Sequence, residues 1–263
     1  MNAKSIVLLI DAGNTRIKWA FYRAQEKVLE PTQAQVYQNP TWSLQLRQQL
    51  ADRACDRIVL CSVASSEVRQ QITAFAAELS IDLRVVENGF LGLGLSSTAY
   101  HDPKQLGADR CVLMIAARAI HSQGSLCVVS CGTALTVDVV DPNGRHLGGL
   151  ISASPRAIRQ KIVADAAGVN IDIDLIPKHD KMDSVYTQST EQALYNGSVL
   201  SAIGLIREAY SQLQDQHPAE SGHAAWHLLY SGGGMPELLP YLPEQGVYYP
   251  ELIMTGLAAI ADI

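Results

Sequence analysis

Two glycine turns set 119 residues apart, each flanked by β-branched apolar runs, constrain this chain more than any other feature. The first half opens on Ile6-Val7-Leu8-Leu9-Ile10, turns at Ala12-Gly13-Asn14-Thr15 and resumes with the run Ile17 to Tyr22. The second begins at Leu126-Cys127-Val128-Val129-Ser130, turns at Cys131-Gly132-Thr133 and resumes with Ala134 to Val140. Apolar runs without alternation predict strands buried on both faces, and the short turns predict hairpins. Gly13 and Gly132 therefore occupy equivalent places in two copies of one strand, turn, strand pattern, and an internal duplication is the economical reading. With 263 residues there is length for two such lobes. The expected division is an N-terminal lobe over residues 1–121 and a C-terminal lobe over 122–263, with ligands bound in a cleft between them.

The remaining elements suit an α/β fold. Strands are expected over Arg57 to Val63 and Asp82 to Glu87, with helices over Ser66 to Leu79 and Leu106 to Ile120. Asp141-Pro142-Asn143-Gly144 predicts a turn, followed by a strand from His146 to Ile151. Ser154-Pro155 pairs a helix cap with proline at the first helical position, opening a helix through Ala166. A long helix from Thr190 to Leu213, a strand from Trp226 to Tyr230 and a closing helix from Glu251 to Ala261 complete the chain.

Composition then narrows the function classes. Lys+Arg 20 against Asp+Glu 26 leaves a net charge of −6 with no basic block, which argues against nucleic acid as a partner. Small anions remain compatible, because they need only a few local donors. The five cysteines form no C-x-x-C pair and sit mostly inside apolar runs, which predicts a reduced, cytoplasmic protein. The longest apolar runs fall short of the roughly 18 residues of a membrane span, and the first one is too short for a signal sequence.

Four segments carry candidate chemistry. Asp11, at the end of a buried strand, can hold a hydrated Mg²⁺, and the turn Ala12, Gly13, Asn14, Thr15, Arg16, Ile17 can close backbone N–H groups on phosphate, with Lys18 as a point charge. The same residues also suit an ordinary hairpin. Gly132 and Thr133 offer an amide and a hydroxyl in the second turn, and Asp138 is a charge in a strand of Leu and Val. Leu106-Gly107-Ala108-Asp109-Arg110 precedes seven apolar residues, so a buried helix is expected to present Asp109 and Arg110 at its N-terminal mouth. There Asp109 is either a general base beside an anion-holding Arg110, or a silent aspartate favoured by the helix dipole. Ser231-Gly232-Gly233-Gly234 lets backbone approach a flat ligand or makes a tight turn. His223 and His227 lack a third metal ligand and read as structural.

In order, these motifs resemble the type III pantothenate kinases: D-x-G-N-T-x-x-K from Asp11, Y-x5-L-G-A-D-R from Tyr100, G-T-A-x-T-x-D from Gly132, G-G-x-I from Gly148, T-x-x-A-x-x-x-G from Thr190 and G-L-A-x-I-A from Gly256. The resemblance implies duplicated ribonuclease H-like lobes of the actin-like ATPase superfamily. It also implies ATP-dependent phosphorylation of pantothenate, the first step of coenzyme A biosynthesis. It makes Asp11 to Lys18 the first phosphate motif with Asp11 orienting Mg²⁺, Asp109 the proton acceptor, and Tyr100 with Gly107, Ala108, Asp109 and Arg110 the pantothenate pocket. Thr133 becomes an ATP-phosphate ligand, and Thr190 a substrate threonine at a homodimer interface. Small residues at Ala193, Gly197 and Ser201 would let two helices approach. Two departures stand out. Ser130 occupies the position where many members carry an Asp that binds K⁺ or NH₄⁺, and Ala153-Ser154 replaces the usual P-G. The rival readings are a nucleotide-binding regulator without catalysis, and a kinase of another small hydroxyl substrate.

Overall fold

The computed structural model describes residues 6–37, 41–51, 53–166, 171–173, 182, 184–216 and 226–263. The elements in chain order are β1 (Ile6–Ala12), β2 (Arg16–Arg23), β3 (Val28–Leu29), β4 (Gln33–Val36), α1 (Trp42–Ala51), β5 (Arg57–Ser62), α2 (Ser66–Glu78), β6 (Asp82–Val86), β7 (Ser97–Thr98) and α3 (Ala108–Ile120). They continue as β8 (Leu126–Cys131), β9 (Ala134–Val140), β10 (Arg145–Ala153), α4 (Pro155–Asp165), α5 (Thr190–Gln216), β11 (His227–Ser231), β12 (Val247–Tyr248) and α6 (Leu252–Ala261).

The chain divides into two compact units. One comprises residues 1–122, 143–146 and 251–263, and the other 123–142 and 147–250. In the first, the sheet runs β3-β2-β1-β5-β6, with β4 also on β2. β1 and β2 are antiparallel, whereas β5 and β6 run parallel to β1. In the second, the path is β10-β9-β8-β11-β12, with β8 and β9 antiparallel and β11 and β12 parallel to β8. With β4, an added partner of β2, set aside, both sheets run third, second, first, fourth, fifth strand, with the same change of sense beyond the first. That shared path is the structural counterpart of the repeated glycine hairpins.

Burial follows the strand patterns. Leu8, Leu9 and Ile10 of β1 and Ile58, Val59 and Leu60 of β5 have no exposed surface, as expected for a sheet covered on both faces. α3 is buried from Ala108 to Arg118 apart from Asp109, matching its all-round apolar sequence. Ser154 caps α4 through its hydroxyl, which accepts from Ala157 N–H at 3.3 Å. The weakly patterned α1, the short strands β3, β4, β7 and β12, and the 3₁₀ turn around Leu239 were not expected from sequence.

The closing helix α6 departs from the contiguous lobe over 122–263: it is part of the first unit. It lies against α3 so closely that a Cβ added at Gly256 would sit 2.2 Å from the Val112 carbonyl oxygen, a backbone atom that has little room to yield. Tyr22 Oη donates to Asp262 at 3.0 Å, and Arg84 Nη1 donates to the Ile260 carbonyl, also at 3.0 Å. Gly256→Ala is accordingly expected to reduce stability by about 2 kcal/mol, read as a lower denaturant midpoint with an unchanged slope; an unchanged midpoint would show that the helix pair yields freely.

Candidate active site

In the first unit the register of the β1–β2 hairpin puts Asp11 directly opposite Lys18, with Lys18 Nζ 3.9 Å from Asp11 Oδ2. Both side chains are largely enclosed, at 14% and 22% exposure. The pair is loose for an ion pair, so it only partly offsets removal of the carboxylate from water. Burial pushes the Asp11 carboxyl up to about 6; Lys18 opposes that rise, the charge of Asp109 adds to it, and Arg16 opposes it weakly. A carboxylate so placed is only partly compensated by Lys18 and Arg16.

The turn itself is built from backbone. Gly13 N–H donates to the Arg16 carbonyl at 3.1 Å, and in the second unit Gly132 N–H donates to the Ala134 carbonyl at 2.8 Å. This corrects the expectation that Gly132 offers its amide to phosphate, because both glycine amides close their own hairpins. A Cβ at Gly132 would meet nothing within 4 Å, so glycine there leaves open space, and Thr133 beside it is exposed. The side chains of Ala12 and Ile17 lie wholly in the core, so these residues can offer a ligand only their backbone. The Ala12 carbonyl is itself taken by the N–H groups of Val63 and Ala64. Asn14, Thr15 and Arg16 remain exposed at the tip.

Two hydroxyls beside this turn are buried with no hydrogen-bond partner: Ser62 Oγ, on the register partner of Ala12, and Tyr37 Oη. Tyr37 is tied to the turn by its N–H, which donates to the Thr15 carbonyl at 3.3 Å, and with Asn14, Trp42 and Ser65 it lines a cavity of about 270 Å³. An orphaned buried hydroxyl carries a penalty of about 1–3 kcal/mol until something satisfies it. These residues fit a hydrated cation and phosphate oxygens at the turn: one acidic oxygen donor set at Asp11, the ammonium of Lys18 and two unsatisfied hydroxyls. Sequence reasoning missed Ser62 and Tyr37, since a lone Ser or Tyr at a strand end carries no pattern.

The α3 mouth belongs to the same unit. Asp109 lies in the first turn of α3, where its Oδ1 accepts from Arg110 N–H at 2.9 Å. A Cβ at Gly107 would fall 2.7 Å from Asp109 Oδ1, so glycine lets that carboxylate lie close over the helix start. The helix end is capped from elsewhere in the unit, by Asn88 Oδ1 accepting from Ala108 N–H at 3.0 Å. Arg110 is not displayed at the mouth as expected. It is 4% exposed, and its Nη1 donates to Tyr100 Oη at 2.8 Å, with the guanidinium carbon 5.6 Å from the Tyr100 ring centre. A guanidinium directed at the phenol oxygen leaves the phenolic hydrogen free to point elsewhere. Beneath the two carboxylates, the Cys61 thiol is held well above its ordinary range by burial and by the charges of Asp11 and Asp109. All five cysteines are free thiols, with four buried.

In the second unit, Ser130 pairs with Thr136 on one side and Ser231 on the other, so three hydroxyl residues lie side by side at the position of the expected monovalent cation. Thr190 is the exposed first residue of α5. Arg159 of α4 is buried and pairs with Glu237 at 3.1 Å, just beyond the Ser231–Gly234 turn, and also donates to Ser198 Oγ at 2.9 Å. His223 lies outside the described residues. Among the described residues no group of three or more His, Cys, Asp or Glu is arranged to hold a metal, and no helix is long and apolar enough to cross a membrane.

A family model for type III pantothenate kinase matches residues 7–212. The chain belongs to that family. Among its relatives, the type III pantothenate kinase of Nitrosospira multiformis is 30% identical over 97% of this chain and 91% of its own length. That of Xylella fastidiosa strain M23 is 31% identical over 97% of both. Solved structures share the fold of actin-like ATPases and sugar kinases. A Baf family transcriptional activator from Campylobacter jejuni superposes with a TM-score of 0.56 at 21% identity, covering 96% of both chains. A 2-dehydro-3-deoxygalactonokinase from Sinorhizobium meliloti gives 0.55 at 16% identity, covering 97% of this chain and 95% of its own. In this member of the type III pantothenate kinase family, Arg110 lies behind Tyr100 rather than at the surface.

Proposed function

We propose that the chain phosphorylates pantothenate with ATP, using Asp109 as the general base. The observation that carries this reading is the presence in one compact unit of two carboxylates, Asp11 facing Lys18 and Asp109 beside the Arg110–Tyr100 pair. Phosphoryl transfer needs an oriented hydroxyl and charge neutralisation rather than a covalent intermediate, and this residue set offers both. Asp109 accepts the proton of the attacking substrate hydroxyl, and Tyr100, backed by Arg110, binds the anionic end of pantothenate. Asn14, Thr15, Lys18 and Thr133 receive phosphate oxygens. Asp11 would hold Mg²⁺ through water, with Ser62 and Tyr37 as further hydrogen-bonding groups. The ion, when bound, neutralises charge on the transferring phosphoryl group.

The finer expectations join this proposal. The two units act as duplicated lobes, with a nucleotide contact contributed by Thr133. Ser130, Thr136 and Ser231 offer only neutral oxygens, so a requirement for K⁺ or NH₄⁺ should be weak or absent. A homodimer forms along α5, where Ala193, Gly197 and Ser201 are exposed small residues and a Cβ at Gly197 would meet nothing within 4 Å. Thr190 at the head of that helix would serve the substrate site in the dimer.

A coupled ADP-release assay with pantothenate, a panel of sugars and no acceptor tests the function. The expected result is release with pantothenate alone. Release with a sugar would transfer the site to another acceptor, and silence with every acceptor would favour the non-catalytic regulator.

A further inference from the structure

His146 lies far in sequence from the residues proposed for the substrate pocket, yet it is 1% exposed and its imidazole packs against Tyr100 within the first unit. The ring centres are 5.7 Å apart, inclined at 53°. Its Nδ1 lies 2.9 Å from Thr98 Oγ1, and that same oxygen accepts from Tyr100 N–H at 3.2 Å. Tyr100 is thus held at three points: its backbone by Thr98, its ring face by His146 and its phenol oxygen by Arg110.

The segment that presents Tyr100 has little regular structure of its own and is fixed from the turn before His146. β7 pairs in parallel with Arg145 and His146, the first residues of β10. Ser96 N–H donates to the Gly144 carbonyl at 2.7 Å, and Ser96 Oγ to the Asn143 carbonyl at 3.0 Å. Gly144 has φ +79°, and a Cβ there would fall 2.2 Å from the Gly94 carbonyl oxygen, so the two backbones meet closely. A buried polar side chain that shares a hydrogen bond with the hydroxyl anchoring the Tyr100 backbone is well placed to set how firmly Tyr100 is held.

We propose that His146, acting through Thr98, is a positioning residue for Tyr100 and so sets the affinity for pantothenate without taking part in phosphoryl transfer. The inference rests on the reading of Tyr100 and Arg110 as the pantothenate pocket, and the test separates the two. Thr98→Val removes the shared hydroxyl at nearly constant shape, Thr98→Ser restores it, and His146→Phe keeps an aromatic ring while deleting the hydrogen bond. Arg110→Gln serves as the control for the pocket itself. Steady-state constants for both substrates and calorimetric binding of pantothenate are measured on each, with thermal melting to confirm folding. The expected result is a rise of about three- to tenfold in KM and Kd for pantothenate in Thr98→Val and His146→Phe. Thr98→Ser should return to native values, with kcat and the KM for ATP within about twofold throughout. Unchanged pantothenate constants in both variants, with Arg110→Gln impaired, would overturn the positioning role and leave the pocket standing. Equal loss toward both substrates would also overturn it, as a purely structural effect. If Arg110→Gln binds pantothenate normally, the pocket reading falls and this inference falls with it.

Discussion

Asp109→Asn is expected to fold as the native chain does and to lose pantothenate-dependent ADP release by about 10²–10⁴-fold. The substitution preserves shape, and the amide oxygen can still accept from Arg110 N–H as Oδ1 does at 2.9 Å. Gly107 leaves room for either group, since only an added Cβ would intrude on that oxygen. What disappears is the capacity to accept a proton from the substrate hydroxyl. The KM for ATP should stay near its native value, which separates loss of a base from collapse of the site. A variant that turned over undiminished would refute Asp109 as the base and return it to an aspartate placed for the helix dipole. The loss of charge should also lower the Asp11 carboxyl, because Asp109 is one of the groups holding it up.

The second large effect couples activity to stability in opposite directions. Asp11→Asn is expected to lower turnover by at least about 10²-fold, because it removes the anionic group aimed at the cation and phosphates. The same change should stabilise the ligand-free protein near pH 8 by about 2 kcal/mol. The sign follows from the carboxyl standing near 6 in the fold against 3.8 for its ordinary value. The folded state holds the proton more tightly, so ionisation penalises folding, with the penalty growing as pH rises from about 4 to about 6 and complete above that. The variant therefore gains at pH 8 and gains nothing at pH 4. Denaturant midpoints at the two pH values check this; an equal shift at both would mean the effect is packing rather than charge.

Much of this architecture could be read from residues because the signals were strong and local. The runs Ile6 to Ile10 and Leu126 to Ser130 are too apolar for anything but covered strands, and Ser154-Pro155 marks a helix start whose cap the hydroxyl makes. α1 escaped because its sequence, WSLQLRQQLA, pins the core with only Trp42, Leu46 and Leu50 among glutamines. β3, β4 and β7 are two to four residues long and exist only through their neighbours. In the site, the glycine turns and Asp109 were legible by motif. The burial of Arg110 was not, because the sequence shows an arginine at a helix start and gives no sign that Tyr100 reaches back to cover it. His146 and Thr98 were invisible for the same reason: they lie 48 residues apart and meet only through a two-residue strand pairing. The two hydroxyls of Ser62 and Tyr37 emerge only once burial is known.

The return of α6 to the first unit sets the order in which this protein can be made. α3 has apolar residues on nearly all sides, and Leu252 to Ala261 pack along one flank of it. A nascent chain that has delivered α3 must therefore carry an uncovered apolar face through synthesis of more than a hundred further residues. The unit bearing Asp11 and Asp109 reaches its final form only after the whole second unit has emerged. Synthesis thus cannot release a finished first half to work alone, and ribosome stalling before α6 would yield a species prone to chaperone capture rather than a partly active enzyme.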